Sequence, residues 1–129
     1  MAMMKYAPER GPFLAGIVEA GGFVADGEAP KMRKMFGHEA WFLNGYMFTG
    51  ANENGIYVHL GEEDAAVAIA ENEDLSPFSP RRDMIVKAYA LIAGAAAEDR
   101  ETVVSWVRRS ADYLSALPKK EPKERKKRS

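Results

Sequence analysis

The sequence predicts an α+β domain, an antiparallel β-meander of about four to five strands with helices packed on it. Two observations carry this. Short aromatic and aliphatic runs are divided by turn signals, Asn44-Gly45 and Asn52-Glu53-Asn54-Gly55. Residues 103–117 then repeat apolar side chains at helical spacing. The chain has 129 residues and no cysteine, so a core must hold it without disulfides. At this length roughly two thirds of the unfolded surface is buried on folding, enough for one domain.

Residues 1–10 carry no periodic pattern and are expected to be loosely ordered. Phe13, Leu14, Ile17, Val18 and Ala20 recur at helical spacing, and Gly21-Gly22 supplies a stop. Val24 to Lys31 reads as a connection, and Lys31 to Phe36 as an added strand. The next signal is the clearest. Trp41-Phe42-Leu43 and Tyr46-Met47-Phe48 flank Asn44-Gly45, which suits a type I′ turn with two positive φ values. A two-residue loop sets Leu43 opposite Tyr46, Phe42 opposite Met47 and Trp41 opposite Phe48. Both faces of this hairpin are apolar, so each is expected to be covered by helices or by a partner chain.

Ile56, Val58 and Leu60 alternate with Tyr57 and His59, the pattern of a strand with one core face. Glu62, Glu63 and Asp64 then suit the positive end of a helix, expected over Asp64 to Asn72. Between Asp74 and Asp83, Ser76-Pro77 and Ser79-Pro80 argue against regular structure. Met84 to Leu91 alternates as another strand. A last helix is expected from about Asp99 to Leu117, with Val103, Trp106, Val107, Ser110, Ala111, Leu114 and Leu117 on one stripe. Pro118 ends it.

Charge divides the chain into a domain over residues 1–117 and a basic tail over 118–129 that is not expected to fold alone. The tail holds seven cations, Lys119, Lys120, Lys123, Arg125, Lys126, Lys127 and Arg128, with two glutamates, for +5; the remainder carries −6. An acidic body differs from a folded nucleic-acid-binding surface, where basic charge is spread over one face. The tail itself suits weak, salt-sensitive phosphate contact, or serves only as a solvated appendage. No apolar run approaches the ~18 residues of a membrane span, and no leader pattern opens the chain. A cytoplasmic protein without membrane attachment is expected.

Candidates for chemistry are few. The two histidines, His38 and His59, lie in no metal-binding spacing. Glu62, Glu63 and Asp64 are explained by the helix start they occupy. The serines at 76, 79, 105, 110 and 115 have no nucleophile-elbow context. The early glycines match no dinucleotide or phosphate loop. Trp41, Tyr46 and Phe48 are not interleaved with basic residues, so they read as core or interface rather than as base-stacking platforms. No catalytic, cofactor or metal site is expected.

The block Lys34-Met35-Phe36-Gly37, the Asn44-Gly45 hairpin and the strand ending Val58-His59-Leu60 resemble the TfoX/Sxy N-terminal domain family. The likeness continues through Glu62-Glu63-Asp64, Pro77-Phe78, Arg82, Met84 and Tyr89. It closes on the Trp106-containing helix and Leu117-Pro118-Lys119-Lys120. It covers roughly residues 31–120. The resemblance implies a compact α+β fold similar to secretion chaperones, often dimeric, with no catalytic residues to carry over. Its named members regulate natural competence beside a transcription activator and have a second, helical domain. This chain is expected to be a stand-alone single-domain member, which puts that regulatory activity in question.

The resulting expectation is a non-enzymatic regulatory or binding domain. It would be a homodimer with a protein partner, and its tail would touch nucleic acid weakly. Trp41, Tyr46, Phe48, Tyr57 and His59 are the candidate dimer or partner face. The alternatives are a small-ligand binder or enzyme with a pocket near His38, Trp41, Tyr57 and His59, and a chaperone-like module gripping an extended peptide.

Overall fold

A computed structural model describes residues 10–25, 27–35, 38–81 and 84–118, with only the backbone of Met35, Pro80 and Arg81. Helix α1 (Arg10–Ala20) precedes strands β1 (Lys31–Met35), β2 (His38–Leu43), β3 (Tyr46–Asn52) and β4 (Gly55–His59). Helix α2 (Glu62–Glu71), strands β5 (Leu75–Arg81) and β6 (Met84–Ala93), a 3-10 turn (Gly94–Glu98) and helix α3 (Arg100–Ser115) follow. The six strands form one sheet in the order β1-β2-β3-β4-β6-β5, every neighbouring pair antiparallel. The α+β class therefore stands, with six strands where four or five were expected.

The additional strand is β5, which overturns the expectation of irregular chain from Asp74 to Asp83. Proline forbids a central strand, because it cannot donate to the ladder, but it is tolerated at an edge. β5 occupies the sheet edge, with Pro77 opposite Ala90, and its register shifts twice beyond that pair. Helix α1 also begins earlier than the apolar pattern, at Arg10, whose guanidinium donates to the carbonyl of Asn52 at 2.8 Å. Helix α2 starts at Glu62, so all three acids sit in its first turn. Helix α3 is capped by Asp99, whose carboxylate accepts from the Thr102 amide at 3.2 Å.

The Asn44-Gly45 turn forms as expected, with φ of 58° and 84°, and Leu43–Tyr46 and Phe42–Met47 pair as the loop length requires. The third expected pair fails: Trp41 lies opposite Thr49, not Phe48. A β-bulge absorbs one residue of β3 there, a departure that no turn signal encodes.

The sheet has two unequal faces. Against one, Leu14, Ile17 and Val18 of α1, Ala65 and Ala68 of α2, and Val103, Val107 and Leu114 of α3 meet Leu43, Phe48, Ile56, Val58 and Ile92 in one continuous core. The opposite cluster of Tyr57, Phe78, Tyr89 and Leu91 draws on strands alone. No residue of a described helix belongs to this second cluster, and Met47 of the hairpin packs against it.

Candidate functional site

The second face is organised by alternation along β4, which sends Tyr57 into the strand-built cluster while Ile56 and Val58 enter the main core; His59, at the strand end, lies between Tyr89 and Tyr113 of α3. Tyr57 stacks on Phe78, centroids 4.2 Å apart, and meets Tyr89 edge-on at 6.0 Å. Gly50 sits opposite Tyr57 in the β3–β4 register, and a Cβ there would overlap the Tyr57 ring. The tyrosine therefore lies flat across β3 in space that only glycine leaves.

His59 stacks on Tyr89 at 4.4 Å, with Tyr46 edge-on at 6.1 Å and Tyr113 of α3 tilted at 5.7 Å. Its Nδ1 lies 3.1 Å from the carbonyl of Met47, and the Tyr89 hydroxyl donates to that same oxygen at 2.9 Å. A carbonyl only accepts, so His59 donates from Nδ1. Burial pushes the Tyr57 phenol up to about 12 and raises Tyr89 further still, with Tyr57 adding to the effect. Both phenols are therefore neutral donors near neutral pH and no source of a general base. The group is built to hold the strand end around Met47, where β3 has left the ladder beyond its Thr49–Val58 pair with β4.

Other buried polar groups are used in the same way. Thr49 donates to the Tyr57 carbonyl at 2.7 Å, and Ser110 donates to the Phe48 carbonyl at 3.0 Å. The Asn44 amide donates to the carbonyls of Leu114 and Leu117 at 2.8 and 3.0 Å, and the Tyr46 hydroxyl to that of Pro118 at 2.9 Å. The hairpin turn thereby caps the C-terminus of α3.

The residues of the candidate partner face are dispersed. Trp41 and Phe48 lie in the main core beneath the helices; Tyr57 is buried on the opposite side; Tyr46 and His59 are partly exposed. Trp41 and Tyr57 stand on opposite faces of the sheet, so the alternative pocket lined by both, together with the two histidines, does not form. His38 instead pairs with Glu53 of the β3–β4 turn at 3.2 Å. Among the described residues no three metal-ligating side chains gather. No described helix is long and apolar enough to cross a membrane. The cationic residues from Lys119 to Arg128 lie outside the described residues.

Among the described residues, two apolar hollows open on the surface. One, of about 260 Å³, lies between α2 (Glu62, Ala66, Ile69) and β6 (Ile85, Val86, Lys87), with Ile85 60% exposed. The other, of about 270 Å³, is lined by Val18, Phe23, Val24, Pro30 and Trp41. The indole N–H of Trp41 is buried and meets no acceptor. The sequence reading missed both, because each is formed by residues distant in the chain whose local patterns announce only helix, strand or loop.

A six-stranded antiparallel sheet with three helices packed on it defines a compact α+β domain. The chain belongs to the TfoX N-terminal domain family, which it matches over residues 23–114. That family is in general non-catalytic. No curated protein matches the chain significantly.

Proposed function

We propose that this chain is a non-enzymatic regulatory domain that works by binding. The observation that carries the reading is the use of its interior polar side chains: Asn44, Thr49, Tyr89 and Ser110 all donate to main-chain carbonyls. Their hydrogen bonds hold a scaffold and leave recognition to the surface. Membership of the TfoX N-terminal domain family supports the same reading.

Residues 118–129 act in this proposal as an electrostatic arm on a folded body. The charge split of +5 against −6 supports it, since clustered cations gain affinity by releasing counterions from phosphates. Self-association belongs to the same reading. The hollow between α2 and β6, with Ile85 and Met84 exposed beside it, offers apolar surface of the kind that a homodimer buries.

The test is fluorescence anisotropy of labelled DNA and RNA, with the full chain and a chain ending at Leu117, over a salt series. Binding by the full chain that falls steeply with salt and vanishes on truncation is the expected result. Absence of binding at low salt would remove nucleic acid from the proposal. Equal binding by both forms would move the contact to the folded body.

A further inference from the structure

Strand β1 is one edge of the sheet, and the two edges are not alike. β5 carries Pro77 and Pro80, which cannot donate to an added strand. β1 carries no proline, pairs only with β2 among the described strands, and leaves Lys31, Met32, Arg33 and Lys34 exposed. It is a short open ladder of main-chain donors and acceptors.

Its side chains say what would suit it. Three of its five residues are cations and none is acidic. Lys31 is 4.0 Å from the exposed Glu28, Lys34 lies opposite Glu39 in the register, and Arg33 rests over the Phe42 ring at 5.3 Å. Exposed pairs of this type are worth little, so the row keeps its positive character. A second copy is a poor occupant. Antiparallel self-pairing centred on Arg33 sets Arg33 against Arg33, and a one-residue shift sets Lys31 against Lys34; like charges directly opposite destabilise a ladder.

Beside this edge lies the hollow of about 270 Å³. Met32 is the cross-strand partner of Trp41, so it projects from the same face of the sheet as the indole that lines the hollow. Val24 lines it too, and Met32 and Val24 are among the few large apolar side chains left exposed. Trp41 is 8% exposed, yet its N–H meets no acceptor. A strand laid along β1 would carry alternate side chains towards this face, and one of them would be within reach of the hollow.

We infer that β1 and the hollow beside Trp41 form a docking site for an extended, acidic segment of a partner protein, which adds as a strand to β1 and seats one apolar side chain in the hollow. Main-chain pairing supplies affinity, the hollow selects the anchor, and Lys31, Arg33 and Lys34 select the acidic flanks. This rests on the binding-domain reading and names the partner's chemistry.

The experiment selects a displayed random peptide library on the full chain. It then measures the enriched peptides by anisotropy and by amide NMR shifts. Enrichment of acidic peptides with one aliphatic or aromatic residue is expected, with shifts and slowed exchange at Lys31 to Lys34. Two variants should each weaken binding about tenfold or more: the charge reversal K31E/R33E/K34E, and Ala29→Phe, which narrows the hollow from its exposed rim. Selection that yields no binder, or binders without acidic bias, overturns the proposal. Binders whose shifts fall elsewhere overturn it while the binding-domain reading stands. A dimer by light scattering that the charge reversal dissociates would assign the edge to a second copy and overturn it as well. Failure of the nucleic-acid arm is read separately, on residues 118–129.

Discussion

The hydroxyl of Ser110 donates to the carbonyl of Phe48 at 3.0 Å, joining the middle of α3 to a strand 62 residues earlier. Phe48 is the residue that the β3 bulge inserts between the Phe42–Met47 and Trp41–Thr49 pairs, and its carbonyl is met from the helix. Ser110→Ala removes the donor and leaves a buried carbonyl unpaired. It should cost about 1–3 kcal/mol, read as a lower urea midpoint with an unchanged slope. An unaltered midpoint would mean that water reaches the carbonyl.

Asn44 has two duties, and substitutions separate them. Its φ of 58° meets the turn's demand, and its amide caps Leu114 and Leu117. Asn44→Asp keeps a residue tolerant of this conformation but removes the donor and places a carboxylate at the negative end of α3. A loss of about 2–3 kcal/mol is expected. Asn44→Gly keeps the turn without the added charge and should cost less. Equal losses in urea unfolding would show that the charge at the helix end has no effect.

Alkaline pH should unfold this protein through its buried phenols. In the unfolded chain Tyr57 ionises near 10, whereas in the folded protein burial pushes it up to about 12. Between those values the unfolded state releases a proton that the folded state keeps. The stability is therefore fully present below pH 10 and lost as pH rises towards 12. Tyr57 alone accounts for about 2–3 kcal/mol of that loss, and Tyr89 acts in the same direction. Tyr57→Phe gives up only a weak contact to the Met47 sulfur at 3.8 Å. Its denaturation curves should fall less between these pH values than those of the parent chain.

If the hollow between α2 and β6 is the homodimer surface, Ile85→Glu should leave the fold intact and yield a monomer by sedimentation. The side chain is 60% exposed, so a charge there costs a lone protomer little. A parent chain already monomeric at high concentration would discard self-association, and a dimer unaffected by the change would move it elsewhere.

Where pattern and fold agreed, the information was local. Asn44-Gly45 specifies its turn by its own backbone preferences, and the alternation from Ile56 to Leu60 assigns each side chain to a face. The α3 stripe likewise put Val103, Val107 and Leu114 into the core. Where they parted, the deciding partner was remote. Proline at 77 excludes a central strand but not an edge, and edge position is a property of the whole sheet. The Phe48 bulge needs Ser110, and the flat Tyr57 needs Gly50 and Phe78. The aromatic richness of residues 41–48 looked like interface, yet Trp41 and Phe48 went beneath helices whose contribution no short window reveals. The hollow beside Trp41 depends on α1, a loop and β2 meeting at one corner, and nothing in their separate patterns marks it.

The contacts of Asn44 and Tyr46 with Leu114, Leu117 and Pro118 also fix a point of departure. Pro118, the last described residue, is moored at the tip of the β2–β3 hairpin rather than at a fraying helix end. Tension applied to residues 119–129 would be shared between α3 and the hairpin. Were those residues to hold a polyanion, as proposed, the pull on it would reach the sheet through the hairpin tip as well as through α3.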